Sequence, residues 1–215
     1  MSATTVDGIS CLSNPSSQVR VSWRGDGKYY ATLGWSGNSE GLQQLRIWER
    51  ESGTLHSSSE AKAFTEAAMD WMPSGAKVAA ACNRGKTKSC ASVVFFERNG
   101  LERGSFDIYG PTEAKIEMLK WNCNSELLTV LVRYDEWSSI QIWSFSNYHW
   151  YLKQEWRYLG KNKLMFSWDP ERPMHAICWT TYGLVQCLNL CWIIKFKYYK
   201  ISKYGYLGSA GRHCI

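Results

Sequence analysis

The 215-residue chain has no run of 18 apolar residues, and Met1 to Ser10 carry neither a basic start nor an apolar stretch. A membrane-spanning helix and a standard secretory leader are therefore not expected, and no membrane partner is. No Asn-x-Ser/Thr sequon occurs either, so the eight cysteines are read as reduced thiols, mostly buried, rather than as a disulfide framework. Only four histidines are present, none beside a Gly-x-Ser-x-Gly elbow, and Gly34-Trp-Ser-Gly37 is one residue too short to form one. The acidic pairs Asp135/Glu136 and Glu49/Glu51 fall at strand ends and loops, where solvated charge is the ordinary outcome. The chain is read as non-enzymatic, with no catalytic residue, no metal and no cofactor.

Charge is unevenly spread along the chain. Residues 1–190 hold 20 basic and 19 acidic side chains, whereas residues 191–215 hold Lys195, Lys197, Lys200, Lys203 and Arg212 with no acid. The overall charge of +6 thus belongs to the tail, and the body is close to neutral. Aromatic residues are abundant, with 12 Trp, 12 Tyr and 7 Phe, and a hydrophobic fraction of 45% is enough for a packed core and excludes wholesale disorder.

The tryptophans are periodic. Trp23, Trp71, Trp121 and Trp168 are separated by 48, 50 and 47 residues, each inside the same kind of phrase: Val21-Ser-Trp-Arg-Gly-Asp-Gly, Met69-Asp-Trp-Met-Pro-Ser-Gly, Leu119-Lys-Trp-Asn-Cys-Asn-Ser, Phe166-Ser-Trp-Asp-Pro-Glu. A second series, Trp48, Phe96 and Trp143, follows at the same period, with separations of 48 and 47. Fixed periodicity of this kind marks a repeat architecture. An apolar segment ending in Trp, a turn of Asp, Ser, Asn, Pro and Gly, and a second apolar segment predict strand, tight turn and strand. A third strand is expected at Leu45–Trp48 or Val93–Phe96, and a fourth at Gly53–His56, Phe106–Tyr109 or Trp150–Gln154.

Four antiparallel strands per repeat make one blade of a β-propeller. The expectation is an all-β, WD-repeat-like propeller, incomplete, with about four antiparallel four-stranded blades near 19–60, 67–110, 115–156 and 163–190. Residues 1–190 form the partial propeller and 191–215 a basic tail. The period exceeds the ~40–45 residues of WD repeats and lies nearer the about 50 of kelch repeats. The Gly-His and Trp-Asp pair of a standard WD repeat is missing. Trp23, Trp48, Trp71, Phe96, Trp121, Trp143 and Trp168 are expected to form the structural core between blades rather than to stack nucleobases.

Several phrases resemble the N-terminal propeller of the largest subunit of the Elongator complex: Val21-Ser-Trp-Arg-Gly-Asp-Gly-Lys-Tyr-Tyr, Leu45-Arg-Ile-Trp-Glu-Arg-Glu, Leu55-His-Ser-Ser-Ser-Glu60 and Val94-Phe-Phe-Glu-Arg-Asn-Gly-Leu101. The most specific is Asn147-Tyr-His-Trp-Tyr-Leu-Lys-Gln-Glu-Trp156, and the likeness runs from about Ile9 to Ile177. The resemblance implies a scaffold subunit of a complex that modifies wobble uridines of tRNA at the 5-position. It also implies other Elongator subunits as partners, indirect or weak contact with tRNA, and the cytoplasm, with the nucleus as a second compartment. The second propeller, helical solenoid and dimerising region of that family lie outside this sequence. From about Thr180 the Lys/Tyr/Ile-rich composition departs from the family, so the chain is expected to be truncated and its tail non-native. The alternative reading is a propeller that binds other proteins in an unrelated pathway.

Two near-misses complete the inventory. Ala80-Ala-Cys-Asn-Arg-Gly85-Lys86-Thr87 has the end of a Walker loop but lacks the first Gly, and the segment after it is strand-like, so a structural loop is expected. Its Arg84, Lys86 and Lys88 are the one basic cluster of the body, expected as a solvated loop with weak RNA contact as the functional alternative. His175, Cys178, Cys187 and Cys191 have zinc-compatible ligand types, but Cys178 and Cys187 sit in apolar strand-like runs, and a core role is expected for the set.

Overall fold

The computed structural model describes residues 20–35, 42–62, 64–83, 91–109, 114–160 and 163–191. They contain fifteen strands and no helix. The first antiparallel sheet holds β1 (Arg20–Trp23), β2 (Tyr29–Trp35), β3 (Gln43–Glu49) and β4 (Leu55–Ser58) in chain order. The second holds β5 (Phe64–Trp71), β6 (Val78–Asn83), β7 (Ala91–Phe96) and β8 (Glu102–Ile108). The third holds β9 (Lys115–Trp121), β10 (Leu127–Arg133), β11 (Trp137–Ser146) and β12 (His149–Leu159), and the fourth β13 (Leu164–Trp168), β14 (His175–Thr180) and β15 (Val185–Asn189). The innermost strands β1, β5, β9 and β13 pack on one another in chain order, and β13 does not return to β1. The fourth sheet is three-stranded among the described residues, where four strands were expected.

The repeat phrase folds the same way each time. The residue after each Trp donates its N–H across the hairpin, Arg24 to the Tyr29 carbonyl, Met72 to Lys77 and Asn122 to Leu127, at 2.8–3.0 Å. Three residues on, Gly27, Gly75 and Ser125 donate back to Arg24, Met72 and Asn122. That last position needs a left-handed backbone, with φ of 67°, 80° and 68°, which glycine adopts freely and Ser125 adopts at a cost. In the fourth sheet the hairpin is longer by one residue: Asp169 donates to His175, and its carboxylate accepts from the Glu171 and Arg172 N–H groups.

Alternation along each strand divides its side chains between two neighbours. Ala31, Leu33, Leu45 and Ile47 of the first blade meet Met69, Trp71, Val78, Ala80 and Phe96 of the second. The other face of the second blade, with Ala79, Val93 and Phe95, meets Ile116, Leu119, Trp121 and Val130 of the third. Leu127, Leu131, Ile140 and Ile142 then meet Phe166, Trp168, Ala176 and Cys178 of the fourth. From the second blade on, each thus presents its Trp backwards onto the blade before it. The core is a series of apolar layers between sheets, as propeller packing requires.

Candidate functional site: the inner strands and the uncovered blade faces

The residue before each repeat Trp is Ser22, Asp70, Lys120 and Ser167, and the first three join the inner strands. Ser22 Oγ accepts from the Trp71 N–H at 2.8 Å and donates to Asp70 Oδ1 at 3.4 Å. Asp70 Oδ2 accepts from the Trp121 N–H at 2.8 Å, and Oδ1 accepts from Lys120 Nζ at 2.9 Å. Lysine has no acceptor to continue the chain, and the Lys120 backbone carbonyl takes over by accepting from Trp168 Nε1 at 3.2 Å. Burial pushes the Asp70 carboxyl above its ordinary value, against the pull of Lys120 and the Trp121 N–H.

The turns beside this ladder are also linked. Ser74 N–H donates to Ser125 Oγ at 2.9 Å, and Asn122 Nδ2 donates to the Pro73-equivalent turn of the fourth blade at the Pro173 carbonyl, 3.0 Å. Gly25 rests on Pro73 so closely that a Cβ there would run into the Pro73 carbonyl. Further out, the Ser57 hydroxyl donates to the Arg98 carbonyl at 2.5 Å, and Lys62 pairs with Glu102. Asp70 is thus committed to holding three blades in register. Its partners are Ser22, Lys120 and the Trp121 N–H, with no histidine, cysteine or second carboxylate among them.

Among the described residues, no sheet covers the outer faces of the first and fourth sheets. Trp71, Trp121 and Trp168 are buried under the preceding blade, but Trp23 is 52% exposed and does not belong to the core. The correction has a simple cause, because no described blade precedes β1 to receive it. Val21, Tyr30 and Trp48 share that face: Tyr30 is 5.0 Å from the Trp23 ring and stacks on Trp48 at 6.4 Å, and Arg50 lies over Trp23 at 5.7 Å. Trp48, half-buried, donates from Nε1 to Thr32 Oγ1 within its own sheet and does not pack between two described blades. Phe96 is fully buried against the first blade, and Trp143 is half-buried against the second, with its ring 4.5 Å from Phe106. At the other end Ile177 and Val185 are exposed on the face turned away from the third blade.

The expected basic cluster, Arg84, Lys86 and Lys88, lies outside the described residues. The zinc-compatible set does not converge: Cys178 pairs with Gln186 and faces the third blade, while Cys187 pairs with Ile177 on the opposite face. Among the described residues no group of three or more His, Cys, Asp and Glu could hold a metal. Cys187 and Cys191 are exposed, contrary to the expectation of mostly buried thiols; Cys187 lies with Ile177 on the face turned away from the third blade, which no described sheet covers. The Ser22–Asp70–Lys120 ladder was not singled out from sequence. Its signal was present, since a polar residue between an apolar residue and the repeat Trp recurs in all four phrases.

Comparison with known proteins agrees with this architecture. A family model described as the ELP1 first N-terminal beta-propeller matches residues 2–171. Elongator complex protein 1 of Arabidopsis thaliana is 48% identical over 178 residues, covering 81% of this chain and 14% of that protein. The Mus musculus protein of the same name is 36% identical, covering 74% of this chain and 12% of its own length. The Saccharomyces cerevisiae protein is 36% identical, over 73% of this chain and 12% of that protein. The chain therefore spans about one eighth to one seventh of the curated relatives it matches, and β14 and β15 lie beyond the residues the family model covers. On the repeat phrase, the four stacked sheets and this agreement, the chain belongs to the Elongator complex protein 1 family, within its first N-terminal β-propeller.

Proposed function

We propose that this chain is a non-catalytic scaffold segment of the Elongator complex, supporting wobble-uridine modification of tRNA by presenting rigid blade faces to other subunits. The observation that carries the reading is the use made of the inner-strand polar groups. Ser22, Asp70 and Lys120 stand where a propeller could house chemistry, and their hydrogen bonds are spent on joining blades. Any tRNA contact is indirect or weak, through Arg84, Lys86 and Lys88, because the body is almost neutral. The cytoplasm is the proposed site of action, with the nucleus as a second compartment.

The test is affinity capture of the tagged full chain from cell extract, with quantitative mass spectrometry of co-purifying proteins. Enrichment of the other Elongator subunits over an unrelated propeller of similar size is expected. Equal recovery from both baits would contradict the assignment and favour a propeller of another pathway.

A further inference from the structure

A cleft of about 540 Å³ opens between the second and third blades at the end where the Trp-containing turns lie. Its size falls in the range of ligand sites, roughly 300–1,000 Å³. We propose that it binds a short acidic peptide segment of a protein partner, with a carboxylate between Lys77 and Lys153 and an apolar side chain against Phe145 and Trp150.

The repeat explains why the cleft exists. Tyr29 and Lys77 are equivalent, each six residues after its repeat Trp, and Arg98 and Phe145 are equivalent, each two residues after the aromatic of the second periodic series, Phe96 and Trp143. Between the first two blades Arg98 lies over the Tyr29 ring at 5.3 Å, with Arg24 also over it at 5.5 Å. Between the next two the pair is exchanged, and Lys77 lies over the Phe145 ring at 5.5 Å. In the second blade a five-residue connection, residues 97–101, follows and seats Gly100 on the Ser58 carbonyl. In the third blade the connection is only Asn147-Tyr148, a two-residue turn with φ of 48° and 65°. The paired strands instead run on past Trp143, which pairs with Leu152, whereas Phe96 already pairs with Glu102; Phe145 and Trp150, paired on that extended hairpin, wall the cleft.

The walls define the ligand chemistry. Lys77 contacts the Phe95 and Phe145 rings, at 6.0 and 5.5 Å, and has no carboxylate in ion-pair range among the described residues. The second ammonium, of Lys153, lies over Tyr151 at 5.8 Å. Phe145 is half exposed beside Trp150, ring centroids 5.4 Å apart, and Trp150 is held flat on Phe95 at 4.7 Å, so the apolar wall is rigid. Trp121 also lines the cleft, and its buried indole N–H has no acceptor, whereas Trp71 donates to the Gly75 carbonyl and Trp168 to that of Lys120. Cations and an aromatic wall suit a carboxylate with an apolar neighbour. With Glu126 on the same lining as Lys77 and Lys153, two cations against one anion leave one net positive charge, which suits a single carboxylate rather than a chain of phosphates and favours a peptide over RNA. The site stands on this geometry and does not depend on the identity of the assembly.

The experiment is fluorescence anisotropy with the full chain and a labelled, end-blocked hexapeptide of alternating Glu and Leu. The matching Gln/Leu peptide and a labelled hexauridylate serve as comparisons. Binding of the Glu peptide below about 100 μM is expected, at least about fivefold tighter than the Gln peptide, a ratio equivalent to roughly one exposed ion pair. Lys77→Glu and Lys153→Glu should each abolish that preference without changing the circular dichroism spectrum. Raising the salt from 50 to 500 mM should weaken the wild-type complex, which keeps the test decisive if a variant misfolds. Equal binding of the two peptides, no binding at 1 mM, or tighter binding of hexauridylate would overturn the proposal.

Discussion

Truncating the four repeat tryptophans in turn should give unequal losses of stability, ordered by whether a preceding blade covers them. Trp71, Trp121 and Trp168 retain 3%, 5% and 9% of their exposure, and Trp23 retains 52%. A fully buried Trp→Ala change costs about 3–5 kcal/mol through lost transfer energy and the cavity left behind. For Trp23 roughly half of the transfer contribution remains, and no enclosed cavity forms because one side is already water, so about 1–2 kcal/mol is expected. Urea denaturation of the four full-length variants, followed by far-ultraviolet circular dichroism, reads these losses directly. With a slope of about 1–3 kcal/mol/M, the buried positions should lower the midpoint by about 1 M or more, and Trp23→Ala by clearly less. If the three core variants do not fold, Trp→Phe changes at the same positions should preserve the order. A Trp23→Ala loss equal to that of Trp71→Ala would refute the reasoning, because it would require a blade on the face now described as bare.

The Asp70 carboxyl is pushed up by burial, so the folded chain holds its proton more tightly than the unfolded chain does. The stability this gives is complete below the ordinary carboxylate value and is lost as pH rises through the folded one. Subtracting Asp70→Asn from wild type over pH 3.5–7 should therefore leave a difference that falls with rising pH, and a rising difference would show the ion pair with Lys120 outweighing burial. Gly100→Ala should destabilise more than Gly104→Ala: both have positive φ, 83° and 100°, costing about 1–2 kcal/mol, but only at Gly100 would the new Cβ meet backbone, at Ser58. Similar melting temperatures for the two would contradict the blade-to-blade contact. Neutralising Arg84, Lys86 and Lys88 together should lower the log–log salt slope of single-stranded RNA binding by roughly 2, measured on residues 1–190. Tight, salt-insensitive binding that survives the change would mean that another surface reads RNA.

The blades were legible because each phrase carries its own hairpin chemistry. The residue after Trp and the glycine three positions later are local signals, and Gly27 and Gly75 occupy the places that turn demands. Ser125 breaks the glycine pattern without breaking the turn, since its hydroxyl gains the Ser74 N–H. What the phrase could not reveal is which copy lacks a neighbour: Trp23 reads like Trp71, and only the order of sheets exposes it. The inner ladder was harder to see, because Ser22, Asp70 and Lys120 look like solvent-facing alternates until the inner strands are brought together. The cleft depends on how far one hairpin extends and on Lys77 meeting Phe145 from another blade, a contact with no local signature. Val185–Asn189 pairs as β15 inside the stretch 163–190 where the fourth blade was expected.

The scaffold assignment is tested most directly by exchange. The first-propeller segment matching this chain, in a full-length family protein, would be replaced by residues 20–191, in cells without another copy, and 5-position modification of tRNA wobble uridine measured by nucleoside mass spectrometry. The account predicts that modification is restored, that it is lost with Trp71→Ala, and that it survives neutralisation of Arg84, Lys86 and Lys88. A hybrid expressed at parental level that captures the other subunits and yet leaves the uridines unmodified, or one whose activity disappears with the three charges alone, would contradict a purely architectural role.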